Sequence, residues 1–444
     1  MRFKSCLLLF LFSLVYSLAF PFQIQAEDQP LSLTLKDFIQ KTFEHYEKIK
    51  IAEQGTQEAL GNRWQSYSLA LPNIRGSYSY TRNVLKQELF FPTGKIQLGF
   101  DNSHDFSVAV NQPLFGFGAI RHGISSASKN YEATLLNEKQ TRAEVLFEAR
   151  EAFFAALLKQ EETKVARFAF DQSLEILKRE EQRFRVGEIA EFDVNRAALD
   201  VENKKSNVLE TEANEKLALE KLRRLAEISK EDFILEGNLE DFANSLNAAR
   251  DTKNLKEKFE NQNLLLKSLE KKSESAEEGR KASLASFFPS FSLFGNYSRQ
   301  GQSSEDFFPN DSQFSSAASF GLNLNVPLFD GLFTAGKYKS AEAHAQGAAW
   351  EKQLQAKDLK LVFDQALSDA QLSLHQKNTQ ARALQLAETL YHQAQLRKQN
   401  GLISYIDLKD IQSSLEQARL AYLSSVYRYI VNWAKIDQML GEDN

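Results

Sequence analysis

The sequence predicts a mixed α/β membrane protein, internally duplicated, in which long helices form a trimeric α-barrel and four β-strands per chain contribute to a 12-stranded trimeric β-barrel. Three observations predict it. Landmarks recur at one offset: Gly187 and Gly401 lie 214 residues apart (401 − 187), and the pairs Asp193/Asp407 and Pro113/Pro327 share that spacing. Each copy contains two stretches of period-two alternation. Only 19 glycines and 8 prolines interrupt 444 residues, which leaves long unbroken helical runs.

Taken in order, residues 1–26 read as an export signal. Arg2 and Lys4 precede an apolar core from Leu7 to Phe20, with the best cleavage point after Ala26. Cys6, the sole cysteine, falls inside that signal, so the mature chain is expected to carry neither disulfide nor thiol catalyst. No later segment reaches eighteen apolar residues, so an exported chain of this kind is either soluble or a β-barrel.

The first structural repeat is placed at 27–226. A polar helical run from Leu31 to about Leu69 stops at Leu71-Pro72. A β-hairpin at 73–112 follows: Ile74, Gly76, Tyr78 and Tyr80 alternate with polar residues, as do Phe106, Val108 and Val110 after a long loop. From about Ala127 to Arg185 the helical period returns, and Val145, Ala149, Ala152 and Ala156 share one face. A helix of that length measures about 80–90 Å, which suits a coiled coil or helical tube better than a globular domain. A turn at Gly187 leads to a helix from about Phe192 to Ala226. Residues 227–251 form a polar linker or equatorial segment.

The second repeat, 252–441, replays this order. A helical run ends at Phe288-Pro289, a hairpin spans 290–326, a long helix runs from about Thr334 to Lys398, and a turn at Gly401 precedes the last helix. That helix carries Leu408, Ile411, Leu415, Ala418 and Tyr422 at spacings of three and four. Four amphipathic strands cannot close a barrel, and in a membrane closure is compulsory, so three chains are expected to supply twelve strands.

Composition excludes several functions. A net charge of −5, with no basic patch interleaved with aromatics, gives no reason to expect nucleic acid. The six histidines are scattered, with no HExxH or paired CxxC, so neither a metal nor a cofactor is expected and the chain does not read as an enzyme. Pro92 to Lys95, PTGK, lacks the glycine-rich lead of a phosphate loop and reads as a loop tip. Many aromatics fall in or beside the strands: Tyr78, Tyr80, Phe90, Phe91, Phe100, Phe106, Phe288, Phe291, Phe294, Tyr297, Phe307, Phe308 and Phe320. As a group they read as barrel exterior and interfacial girdle.

The sharpest local feature is Asn400 to Asp410, NGLISYIDLKD, with its counterpart VGEIAEFDVNR from Val186 to Arg196. Asp407 and Asp410 stand at i,i+3 near a helix N-terminus, where acids ordinarily satisfy amides and the helix dipole. In a trimer each becomes a ring of three that attracts cations, a candidate pore constriction. The first copy keeps Asp193 but has Arg196 opposite Asp410, so the two turns are not equivalent.

The duplicated helix–hairpin–long helix unit resembles the TolC family of outer membrane efflux proteins. So do the closures PLFGFG (Pro113 to Gly118) and PLFDG (Pro327 to Gly331), and the turns VGEIAEFDV and NGLISYIDL. The resemblance spans about Leu31 to Gly441. It implies a homotrimer with a barrel in outer membrane lipid and a helical tunnel across the periplasm. It also implies partners: a periplasmic adaptor (membrane fusion protein) and an inner-membrane efflux pump or ABC exporter, as in efflux or type I secretion. The protein would be a passive duct whose coiled coils rearrange to open it. By motif, Asp407 and Asp410 fall where the family's entrance aspartates lie. The adaptor-contacting tips would be Val186, Gly187, Glu188, Asp193 and Arg196 in the first copy, and Gly401 and Leu402 in the second. Glu188 departs from the leucine-like residue usual there, whereas Leu402 keeps it. The competing reading is a secreted or surface-attached trimeric coiled-coil adhesin, which does not require four strands placed between helix pairs.

Overall fold

The computed structural model describes residues 31–228, 233–246, 252–400 and 402–441. The export signal and Gly401 therefore lie outside the described residues. In chain order the elements are β1 (Leu31–Leu33), α1 (Leu35–His45), α2 (Glu47–Tyr67), β2 (Asn73–Arg82), β3 (Gln87–Phe91), β4 (Gly94–Leu98), β5 (Asn102–Phe115), α3 (Ala119–Arg185) and α4 (Glu191–Ala226). There follow β6 (Phe233–Leu235), α5 (Leu239–Ser245), α6 (Thr252–Gln262), α7 (Leu264–Ala285), β7 (Ser290–Ser303), β8 (Phe314–Asn325), α8 (Phe333–Gln399) and α9 (Tyr405–Leu440).

The duplication is metrically strict. Helices α3 and α8 each have 67 residues, and α4 and α9 each have 36. At 1.5 Å per residue the long pair measures about 100 Å, more than the sequence spacing indicated. Helix α3 begins earlier than expected, at Ala119, while α8 begins at Phe333, close to the expected Thr334; both start directly from a left-handed corner. Phe117 and Gly118 have φ of 48° and 96°, and Gly331 and Leu332 have φ of 67° and 71°. Two consecutive left-handed residues turn the chain from strand to helix at each site. One non-glycine residue accepts the strain each time, and Phe117 also stacks on Phe288 at 5.4 Å.

The strands β2, β5, β7 and β8 form one antiparallel sheet in that order, so the hairpins of the two repeats join edge to edge through β5 and β7. Register fixes the faces. Tyr78 pairs with Phe106, Val108 with Tyr297, and Leu293 with Leu322, giving one apolar face. Ser77 pairs with Ser107, and Ser107 with Ser298, giving a polar face rich in small hydroxyls. Phe294 departs from the expected exterior group. It pairs with Asn111 and Gly321 on the polar face, and its ring lies where a Cβ on residue 321 would approach within 2.9 Å. Phe90 and Phe91 also leave the group. The loop expected between β2 and β5 contains a separate hairpin, β3–β4, that carries them beyond the sheet. Pro92 and Thr93 form its tip.

The core lies at mid-length, where α1, α3, α4, α5, α6, α8 and α9 converge around Phe38, Phe153, Phe259, Phe363, Tyr429 and Ile436. Phe259 stacks on Phe363 at 4.2 Å. The small-residue stripe Val145, Ala149, Ala152 and Ala156 is fully buried there, since small side chains let neighbouring helices approach. The expected stripe on α9 is only half-buried near the tip, apart from Leu415, and is fully buried around Val426 to Leu440. Two further features escape the sequence pattern. Strands β1 and β6 form a parallel pair across 200 residues of chain, Leu31 opposite Phe233, and the second repeat's first helical run divides at Asn263, whose side chain caps α7 through Leu266 N–H at 2.9 Å.

Between repeats, α3 and α7 are joined by a polar seam. Ser268 Oγ donates to the Ala133 carbonyl at 3.0 Å, Lys129 pairs with Glu274 at 2.9 Å, and His122 Nδ1 lies 2.7 Å from Glu278. Burial alone would raise the Glu278 pKa, but hydrogen bonds from His122 and Lys281 outweigh it and bring the group down to about 2.

Candidate functional site

The two long hairpins, α3–α4 and α8–α9, turn back at the end of the molecule farthest from the sheet. Their turns share one long backbone hydrogen bond, from the residue after the glycine position back to the helix. In the first, Gly187 N–H donates to Phe184 O at 2.9 Å and Glu188 N–H to Arg183 O at 2.9 Å, with Gly187 left-handed at φ 79°. This is a Schellman closure, in which glycine carries the positive φ without a Cβ penalty. In the second, Leu402 N–H donates to Arg397 O at 2.8 Å, the equivalent long bond.

Their side chains differ. Schellman turns usually place an apolar residue where Glu188 and Leu402 stand. Glu188 instead reaches Arg183, Nε to Oε2 at 3.1 Å, and Arg183 Nη1 also holds Glu180 at 3.0 Å. The Glu188 hydrogen bond, opposed by burial and reinforced by Glu180, raises the Arg183 pKa. Leu402 has no such role and is 74% exposed. The helix starts differ as well. Ser404 caps α9: its Oγ accepts from Asp407 N–H at 3.1 Å and donates to Asp407 Oδ2 at 2.7 Å. The matching position on α4 is Ala190, which supplies no side-chain cap. Asp407 is thus engaged in capping while remaining exposed, and Asp410, one turn further, is exposed too.

Between the hairpins lies a cleft of 820 Å³. The first hairpin lines it with Glu175, Arg179, Glu180, Arg183 and Asp193, and the second with Tyr391, Lys398, Ile403, Ser404 and Ile406, among others. Asp193 and Ser404 therefore meet one space, whereas Arg196, Asp407 and Asp410 do not line it. Above the cleft, two ion pairs tie α4 to α9: Asp200 with Lys409 at 2.8 Å, and Lys204 with Glu416. A hydrogen bond from Tyr391 Oη to Gln172 at 2.8 Å bridges α8 to α3. Sequence reading missed all of these, because each links residues roughly 210 to 220 positions apart without local periodicity. The 214-residue repeat is the signal that would have found them, since it predicts which helices lie side by side.

No helix among the described residues is long and apolar enough to cross a membrane. One face of the four-stranded sheet is apolar, and about 100 Å of helix projects from the sheet's end. These features define an outer-membrane channel with a periplasmic extension. A sequence profile of the family described as "Outer membrane efflux protein" matches residues 38–226 and 255–442. The chain belongs to that family, the TolC-like efflux and secretion channels, which are ducts and not enzymes. Sequence comparison with curated proteins returns no match. Among solved structures, the chain is similar to the Campylobacter jejuni outer membrane channel CmeC, with TM-score 0.78, 17% identity, and 92% and 85% of the two chains covered. It is also similar to CusC (0.76, 19% identity, 91% of each chain) and to the Vibrio cholerae outer membrane protein VceC (0.75, 17%, 92% and 96%). The adhesin alternative gives way to this membership.

Proposed function

We propose that the chain works as a homotrimer, an exit duct gated at the α3–α4 and α8–α9 tips and driven by an inner-membrane pump through a periplasmic adaptor. The observation that carries it is the sheet: four strands present one apolar face and leave the outer edges of β2 and β8 unpaired. In a bilayer those edges require partners, and three copies make a twelve-stranded closure. The tips then surround the far mouth of the tunnel. Asp407 and Asp410 supply carboxylate rings there, while the cleft between the hairpins offers the adaptor a lining of mixed charge and apolar side chains. The pairs Asp200–Lys409 and Lys204–Glu416 hold the second hairpin against the first and set a barrier to opening.

Migration of unheated outer-membrane fractions in detergent gels tests the assembly. A band at three times the chain mass, collapsing on heating, is expected. A monomer in the soluble periplasm would overturn the proposal. Gating is tested by single-channel recording of a Lys204→Ala/Lys409→Ala variant, for which conductance from the periplasmic side is expected to rise; an unchanged conductance refutes the latch.

A further inference from the structure

The two external ends of the sheet are finished differently. Between β7 and β8 a short polar loop folds back on the apolar face: Phe307 and Phe308 cover His104, which is fully buried. His104 Nε2–H donates to the Phe307 carbonyl at 2.7 Å, so Nδ1 accepts from Tyr78 Oη at 2.9 Å. Asn102 Nδ2 adds a bond to the Asp306 carbonyl at 2.9 Å. This loop is strapped to the outer wall.

Between β2 and β5, in contrast, the chain extends β3–β4 beyond the last ladder pair, Arg82 with Asn102. Register separates its faces. Glu88, Phe90, Lys95 and Gln97 share one, where Lys95 pairs with Glu88 at 3.2 Å and lies 4.9 Å over the Phe90 ring. Leu89, Phe91, Ile96 and Leu98 share the other and remain 39–55% exposed. A lone two-stranded hairpin is marginal in water, and a contiguous apolar face of this kind marks a contact surface. The hairpin has two routes to cover it. The route down the outer wall into lipid is taken by Phe307 and Phe308, which sit against Tyr80 and His104 at the hairpin's root. Lys86 fixes that root, pairing with Asp101 and reaching Ser304 Oγ at 3.3 Å. The open route leads across the mouth.

We propose that the apolar face of the 87–98 hairpin packs against the same hairpin of neighbouring copies, capping the external mouth of the barrel. The reach suffices. Strands of five residues extend about 17 Å, and a twelve-stranded barrel tilted by about 40° has a backbone radius of about 12 Å. The hairpin springs from β2, the edge strand on which the neighbouring copy closes, so the contact continues that interface. The cap rests on the trimer reading, and the experiment separates the two.

In a chain with Cys6 replaced by Ser, Ile96→Cys provides a single thiol. Oxidation in outer-membrane vesicles is expected to give disulfide-linked dimers within an intact trimer. A second variant, Leu89→Ser/Ile96→Ser, is expected to raise single-channel conductance about 1.5-fold or more with the trimer unchanged. An intact trimer with no cross-link and unchanged conductance overturns the cap. So does labelling of the Ile96→Cys thiol by a bilayer-confined maleimide, which assigns the face to lipid. A monomer in the membrane fails the trimer reading itself.

Discussion

The two tip turns close with the same long backbone bond and differ in their side-chain contacts. Both close by a Schellman bond after helices of 67 residues and before helices of 36. One tip is tied internally by Glu188, Arg183 and Glu180 and starts its next helix on an uncapped alanine. The other exposes Leu402 and starts on a capping serine, followed by Asp407 and Asp410. Backbone geometry is what a repeat must preserve to keep two hairpins in register, whereas side chains at a solvent-exposed turn are free to diverge in role. The first tip is thus tied internally by ion pairs and the second is closed by a serine cap, although each exposes an apolar residue, Val186 at 73% and Leu402 at 74%.

Several substitutions would break or sharpen that contrast. The largest effect is expected from Asp407→Asn with Asp410→Asn, which should weaken block by multivalent cations about tenfold or more in planar bilayers, because in the proposed trimer each loss would repeat three times around the axis. Asp193→Asn should change block far less, and equal effects would erase the distinction between tips. Gly187→Ala forces a Cβ into a left-handed residue at a cost of about 1–2 kcal/mol, read as earlier proteolysis at the first turn. Ser404→Ala removes a side-chain cap worth about 1 kcal/mol, and hydrogen exchange should accelerate at the start of α9. Ala190→Ser should do the reverse on α4.

The His122–Glu278 pair joins the two repeats within the chain, but the residues at the matching offsets are Gly336 and Gly61. Because the folded pKa of Glu278 is depressed from the ordinary 4.5 to about 2, its contribution is fully present above 4.5 and is lost as pH falls towards 2. Glu278→Gln should therefore lower thermal stability at neutral pH and leave it nearly unchanged near pH 2, measured by melting at both. The smallest effect belongs to Glu188→Leu. It removes a surface pair worth at most about 1 kcal/mol, so melting should barely move, while capture of the proposed adaptor by the first tip, followed by cross-linking, should change.

Much of this architecture was legible because it is periodic. The 214-residue offset located both turns, and alternation located the four strands with their faces. Val145 to Ala156 announced the buried stripe of α3. What escaped was aperiodic or distant. β1 and β6 are three residues each and meet across the whole first repeat, so no local pattern marks them. The β3–β4 hairpin did leave a signal, Leu89 and Phe91 against Ile96 and Leu98 about a two-residue turn, but it lay inside a segment read as loop. Phe294 misled because its face is set by cross-strand register, not by its own hydrophobicity. At the tips, the sequence singled out the acids but not Ser404 as the partner of Asp407, nor the Asp200 and Lys204 bridges, whose partners lie on the other repeat.

The equal helix lengths carry a consequence for how such a chain can change. Inserting one residue into α3 or α8 rotates everything beyond it by about 100° and lifts it about 1.5 Å, turning buried alanines outward and parting each tip from its counterpart. Point replacements carry no such penalty. The drift in offset between the repeats, from 214 at Pro113 and Pro327 to 217 at Pro72 and Pro289, is confined to the stretch between those prolines, where the strands and their external loops lie. Lineages of this chain are therefore expected to accumulate replacements freely along the tunnel and to admit insertions and deletions almost only at the cell surface, where new length meets the outside world and leaves the tunnel in phase.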